Sequence, residues 1–230
     1  ILAPAGGPDS AAIRYLYENN VPAVLVDRLA DARFDQVGLD NENAIDLVTD
    51  HLCDLGHRRI ALIPGHSTYT TTIERTEAFR ANMAARGLLD DDLITPPAHT
   101  LAEAAQHTAM LLDRGAGLPD AILAGNNLCT LGAMKEISRR GLKVPQHIAL
   151  AGIDDFEWAD SFEPRLTVVR QPCSEIGRKA ADLIRRRLAT HDVPPEAHRL
   201  HPTLVVRRSC GTLIQPSTTD GDTVKNATIL

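Results

Sequence analysis

The sequence predicts an α/β protein in which parallel strands alternate with helices, and three observations carry that prediction. Short apolar runs of strand length, at 60–63, 121–124 and 148–151, each end in a Gly/Pro or polar exit. Between them lie segments with apolar residues at helical spacing, closed by Gly56, Gly87 and Gly141. Aromatic residues make up only 3% of the 230-residue chain while 43% is hydrophobic, so the core must be built from Ala, Leu, Ile and Val, as in β-α-β layers. Loops this short between strand and helix imply right-handed crossovers between parallel strands.

In chain order, residues 1–3 read as a strand end and 4–8 as a Gly/Pro loop. Asp9 or Ser10 can cap a helix over 11–19, with Ile13, Leu16 and Tyr17 on one face. Strands follow at 23–26, ending in Asp27-Arg28, and at 37–39, running into a cap at Asp40-Asn41. The helix over 42–55 carries Ala44, Leu47, Val48, Leu52 and Leu55, and Gly56 supplies its left-handed stop. After strand 60–63 comes a Ser/Thr loop and a helix from about Ile73 to Arg86 with Ala78, Phe79 and Met83 inward. Leu93-Ile94 is a weak strand, 101–114 a helix, 121–124 a strand, and Gly125-Asn126-Asn127 introduces a helix with Leu131, Met134 and Ile137.

Residues 144–172 are the stretch on which the rest depends: a buried strand at 148–151 runs into the acidic pair Asp154-Asp155, and a second strand at 166–170 stops at Gln171-Pro172. Ser174 can cap a helix over 175–188, whose Ile176, Ala180, Leu183, Ile184 and Leu188 share a face. Its basic residues Arg178, Lys179, Arg185 and Arg186 are accounted for by a solvated helix surface. A final strand is predicted at 204–206, and 215–226, rich in Thr, Asp and Ser, reads as a mobile tail.

A net charge of −6 argues against nucleic-acid binding by this segment, since duplex binding needs a dense positive face. Cys53, Cys129, Cys173 and Cys210 have no paired spacing and read as reduced thiols of a cytoplasmic protein. No run has transmembrane length and no signal-peptide pattern is present, so no membrane association is expected. The first residues read as a strand entered mid-fold, which marks the chain as a piece of something longer.

Little in the sequence suggests turnover. His51, Cys53 and His57 do not share a helix face, so no metal site is expected. There is no Gly-x-Ser-x-Gly elbow, and the Pro4-Ala5-Gly6-Gly7 loop lacks both a P-loop lysine and dinucleotide spacing, so no cofactor is expected. What recurs is a polar side chain at each strand exit: Asp27 and Arg28, Thr71 and Arg75, Asn126, Asp154 and Gln171. Ligands of parallel α/β sheets bind outside the carboxyl ends of the strands, and carboxylates, guanidinium groups and amides bind hydroxyls or amides with fixed orientation. For any one of them local capping serves equally well, as it does for Asp154-Asp155; their shared position is what points to ligand binding.

These residues carry a family resemblance. The stretches VPAVLVDR at 21–28, Asp40-Asn41, HLCDLGHRRIALI at 51–63, RTEAF at 75–79, AGNN at 124–127, LGA at 131–133, GLKVPQHIALAGIDD at 141–155 and LTVVRQPCSEIG at 166–177 together resemble the effector-binding region of the LacI/GalR family of bacterial transcriptional regulators, over nearly all of 1–211. The chain departs from the family pattern at Asn127, where Asp is usual, at Ile153, where an aromatic is usual, and at Ala78, where Gly is usual. The resemblance implies a two-lobed, periplasmic-binding-protein-like fold with a ligand cleft between the lobes. One lobe would comprise 1–39 and 172–201 and lack its first strands; the other would comprise 40–170 and 202–211; 212–230 would be a flexible tail. It further implies ligand contacts from Asp27, Arg28, Thr71, Arg75, Asn126, Asp154 and Gln171, with His99 where the family presents an aromatic ring.

The function implied is effector binding and dimerisation. A small molecule, a sugar or a nucleoside-like compound, would control DNA binding by a helix-turn-helix that precedes Ile1, and the regulator would be a homodimer that meets its operator only through that part. A periplasmic sugar-binding protein of similar fold is the alternative, and a small α/β enzyme using Asp154 or Asp155 as a base is a third.

Overall fold

The computed structural model describes residues 1–156, 159, 161–190 and 193–211; the tail predicted at 215–226 lies outside them. Two sheets organise the chain. The smaller contains β1 (Val24–Asp27), β2 (Asp35–Leu39) and β7 (Ala197–Leu200), all parallel in the order β1-β2-β7, with Leu2 bridging to Leu25. The larger contains β3 (Ile60–Ile63), β4 (Ala121–Ala124), β5 (Ala149–Ile153), β6 (Thr167–Arg170) and β8 (Thr203–Val205), in that order. β3 to β6 pair in parallel and β8 closes the edge antiparallel to β6.

The pleat of the large sheet sorts its side chains onto two faces. Ile60, Leu62, Ala121, Leu123, Ala149 and Ala151 pack with Val48, Leu52, Phe79 and Met83 of α2 (Asn41–Asp54) and α3 (Thr70–Ala85). Ala61, Ile63, Ile122, Ala124 and Leu150 pack with Ala104, Leu111, Cys129 and Ile137 of α4 (Leu101–Leu112) and α5 (Asn127–Arg139). Covered on both faces, these strands read as continuous apolar runs rather than alternating ones. The small sheet repeats the scheme, with Ile13 of α1 (Ala11–Glu18) against Leu25 on one face and Ala180 and Leu183 of α6 (Cys173–Ala189) against Val24 and Val37 on the other.

Several elements differ from expectation. The third helix starts at Thr70 rather than Ile73, which places Thr71 and Arg75 in its first two turns. Ser174 does not cap α6; Pro172 is its N-cap residue and the helix begins at Cys173, with Leu188 60% exposed. Leu93 closes a 3-10 turn and only Ile94 bridges to the sheet, at Leu62. β7 is an unpredicted strand; its alternating exposed and half-buried residues, Ala-His-Arg-Leu, have no apolar run to reveal it. Tyr17 is half exposed, its ring covered by the Arg33 guanidinium at 4.0 Å. Of the basic residues on α6, Arg186 is not a freely solvated charge: with Arg187 it holds Asp35, whose carboxylate is fully buried at the start of β2.

α4 and α5 approach closely because residue 132 is glycine. A Cβ built there would lie 2.5 Å from the Ala104 Cβ and 2.8 Å from the Leu101 carbonyl oxygen. Gly132→Ala therefore forces the helices apart and is expected to cost about 1–3 kcal/mol in urea unfolding, although alanine is the better helix former.

His57 ties two distant segments together: its Nε2 is 2.9 Å from the Cys210 carbonyl oxygen and its Nδ1 is 3.6 Å from Asp120. The Asp120 interaction and the Cys210 carbonyl raise its pKa above 6.5, against the opposing effect of burial. A raised folded-state pKa gives stability that is complete below the unfolded value and is lost as pH rises through the folded one. Between pH 6 and pH 8 the protein is expected to lose stability that His57→Gln does not lose, measured as denaturation midpoints across that range.

Candidate functional site

The carboxyl ends of both sheets face a common region, and the candidate residues leave from them. Asp27 ends β1 and Asp154 follows β5, and both have left-handed backbones, with φ of 68° and 81°. Aspartate adopts that conformation more readily than most residues, but it still costs energy, and such positions gather at functional sites. Asp154 is fixed by its backbone N–H, which donates to the Val169 carbonyl at 2.9 Å, and its carboxylate accepts a hydrogen bond from the Gln171 side-chain amide.

Arg75 lies at the centre of this group and is 6% exposed. Its Nε donates to the Asn41 Oδ1 at 2.8 Å and its Nη1 to the Gly125 carbonyl at 2.8 Å, the second being the backbone at the exit of β4. Among the described residues, Nη2 makes no hydrogen bond. Burial lowers the pKa of Arg75, and the charges of Asp154, Asp27 and Glu74 oppose that shift. A guanidinium remains charged regardless, so it needs this carboxylate company. The converse holds at Asp27: burial raises its carboxyl above the ordinary range, Arg28 and Arg75 pull it down, and Asp154 pushes it up again. The two aspartates and the arginine thus form one electrostatic unit drawn from both sheets.

Arg28 spans the gap between the sheets in a second way. Its guanidinium lies 3.7 Å from the centre of the Tyr69 ring, just before α3, while its Nη1 donates to the Pro4 carbonyl at 2.9 Å. The Tyr69 ring stacks on His66 at 4.6 Å, and His66 in turn meets His99 at 4.0 Å. His99 therefore sits at the far end of a row of rings, exposed and 3.4 Å from the Ser67 hydroxyl. Tyr69 and His66 were not singled out from sequence; their signal was the Gly65-to-Thr70 exit of β3, read only as a polar loop.

The remaining candidates are placed less directly. Asn126 is the N-cap of α5, its Oδ1 accepting from the Cys129 N–H at 2.8 Å, so the capping alternative describes its oxygen. Its Nδ2 occupies the space that a Cβ on Gly65 would fill, 2.3 Å away. Thr71 is buried in the first turn of α3, next to Thr70, whose buried hydroxyl has no hydrogen-bond partner among the described residues. Asp155 belongs elsewhere: it accepts from Arg170 and from Arg207 at 3.0 Å and holds the β6–β8 edge. Two adjacent carboxylates thus serve different ends, as their opposite directions on leaving a strand require.

Comparison with known proteins places the chain in a family. Residues 49–210 match the periplasmic binding protein-like domain family. The chain is 30% identical over 193 residues to the HTH-type transcriptional repressor PurR of Vibrio vulnificus, covering 82% of this chain and 57% of that protein, so it spans little more than half the relative's length. Among solved structures, the transcriptional regulator CelR in complex with cellobiose is 31% identical with a TM-score of 0.80, covering 87% of this chain and 62% of that one. A LacI transcriptional regulator from a Rhodococcus species is 27% identical with a TM-score of 0.79, covering 90% and 76%.

The two aspartates should separate in experiment. Asp155→Ala leaves Arg207 without its buried partner and is expected to lose about 2–3 kcal/mol, less than the ~3–5 of a fully buried pair because Arg170 is half exposed. Asp154→Ala should cost less, about 1–2 kcal/mol: it loses the Gln171 amide hydrogen bond, a charge that favours Arg75, and an aspartate that tolerates φ 81° better than alanine does, but it removes the repulsion with Asp27. Chemical unfolding of both variants measures the difference.

Proposed function

The chain belongs to the periplasmic binding protein-like family as the effector-binding region of a LacI-type regulator, and from that membership we propose that the cleft between its two sheets binds a sugar. The observation that carries the reading is the Asp27–Arg75–Asp154 unit: carboxylates and a guanidinium at converging strand ends, with one nitrogen of Arg75 uncommitted. Vicinal hydroxyls both donate and accept. Two carboxylates can take their protons while Nη2 of Arg75 donates to their oxygens, and planar groups fix the direction of each bond. The solved relative carrying cellobiose supports the same ligand class.

In this reading Asp27, Arg28, Thr71, Arg75, Asn126, Asp154 and Gln171 contact the effector. His99, with His66 and Tyr69, closes the cleft with ring faces. The lobes are 1–39 with 172–201 and 40–170 with 202–211. A ligand touching both favours the arrangement in which they are close, and that shift governs operator binding by a homodimeric full-length regulator through a helix-turn-helix outside these residues. The row of rings favours one second ligand class, nucleosides and purines, whose flat faces stack more strongly than a sugar ring.

A thermal-shift screen with cellobiose, other sugars, sugar phosphates, nucleosides and purines tests the proposal, because a ligand that binds only the folded state raises the midpoint. A sugar is expected to raise it. Calorimetry should then show affinity falling about 10- to 100-fold in both Arg75→Ala and Asp154→Ala, the loss expected of one hydrogen bond to a charged group. A shift that survives both substitutions would place the ligand outside the cleft and defeat the reading.

A further inference from the structure

Behind the cleft, a carboxylate unused by ligand binding joins the two sheets. Glu74 in α3 accepts two hydrogen bonds from Arg199 of β7, at 2.7 and 3.0 Å, in a bidentate pair between the large-sheet side and the small sheet. The same carboxylate accepts from the Asn41 Nδ2 at 2.7 Å, and the other end of that amide, Oδ1, accepts from the Arg75 Nε. The amide orientation follows from its neighbours: a carboxylate can only accept and a guanidinium can only donate. Asn41 itself is 1% exposed, so its side chain has no water to turn to. The strand carrying Arg199 ends one residue later at Leu200, whose carbonyl accepts from the backbone N–H of Asp40, the cap residue of α2. The ion pair thus lies beside two of the places where the chain passes from one sheet to the other.

We propose that Glu74 is a positioning residue and latch, whose carboxylate, held by Arg199 and by the Asn41 amide, couples the aim of the Arg75 guanidinium to the angle between the two sheets. This rests on the reading of the cleft as an effector site. Movement of β7 away from α3 breaks the bidentate pair and shifts the Glu74 carboxylate, which releases the donor end of Asn41. Arg75 then loses the acceptor that fixes its Nε. The coupling runs equally in reverse: a ligand that holds Arg75 in place favours the arrangement in which Glu74 and Arg199 are paired. A half-exposed ion pair contributes little to stability by itself. Its value here lies in the buried amide it controls.

Two ligand-free measurements on the full chain test the latch. Spin labels at Glu18→Cys on α1 and Lys135→Cys on α5, in a Cys53→Ser, Cys173→Ser background, report the distance between the sheets. A single narrow distribution is expected with the native pair, and a distribution broadened or shifted by several ångströms with Arg199→Ala and with Glu74→Gln; Arg199→Lys, which keeps the charge but cannot pair bidentately, should fall between them. In parallel, solvent exchange of the Arg75 Nε–H, followed by ¹⁵N NMR, is expected to quicken about tenfold or more in Arg199→Ala and by a smaller factor in Arg199→Lys. Unchanged distances in Arg199→Ala would overturn the latch, and unchanged Arg75 exchange would overturn the coupling. Failure of every sugar to bind would instead strike the ligand reading, and leaves both of these measurements valid.

Discussion

A buried guanidinium is the constraint from which the rest of this structure follows. Arg75 cannot lose its charge, so a chain that buries it must bring acceptors to it from several directions. It does so with hydrogen bonds to a carbonyl at the exit of β4 and an amide at the start of α2, and with the longer-range charges of the carboxylates at the ends of β1 and β5. Those four groups come from both sheets. Satisfying one side chain therefore fixes how the strand ends converge, and the two left-handed aspartates are the local cost of that convergence.

The scaffold makes such a demand tolerable. In a parallel sheet covered on both faces, strands end on the same side and their following loops gather there. The pleat sends Ile60 and Leu62 to α2 and α3, and Ala61 and Ile63 to α4 and α5, so packing rather than the site holds the strands in register. Two buried carboxylates elsewhere are paired in the same way. Asp35 is fully buried beneath Arg186 and Arg187, and Asp155 sits between Arg170 and Arg207. Burial likewise raises the Cys129 thiol to about 12, which leaves it a packing residue and not a nucleophile.

Where apolar residues dominate an element, the sequence is enough to find it. β3 and β4 match their predicted bounds because four consecutive apolar residues between polar exits have few alternatives. β7 was invisible because its stability comes from pairing with β2 and from Arg199 and His198 ion pairs, which leave no hydrophobic pattern. The early start of α3 was hidden by Thr70, Thr71 and Thr72, which are weak helix formers held in place by tertiary contacts. The candidate site divides the same way. Strand exits are legible, so Asp27, Arg75 and Asp154 could be named together. Asn41 and Glu74 lie on helices; Asn41 reads only as part of a cap, and nothing in the sequence singles out Glu74. Only the fold shows that one amide joins them to Arg75.

The start of α3 is where these strands of argument meet. Tyr69 receives Arg28 from the small sheet, Arg75 lies in the field of the aspartates of both sheets, and Glu74 between them holds Arg199. Positions 69, 74 and 75 fall within two turns of one helix, so they move as a rigid unit. A displacement of that helix end cannot alter the ring contact without also altering the ion pair and the buried guanidinium. Interfaces built this way tend to have a few discrete arrangements rather than a continuum, because paired charges and packed rings are either engaged or not. Whatever shifts Arg75 by a small amount therefore acts on contacts that join two whole sheets.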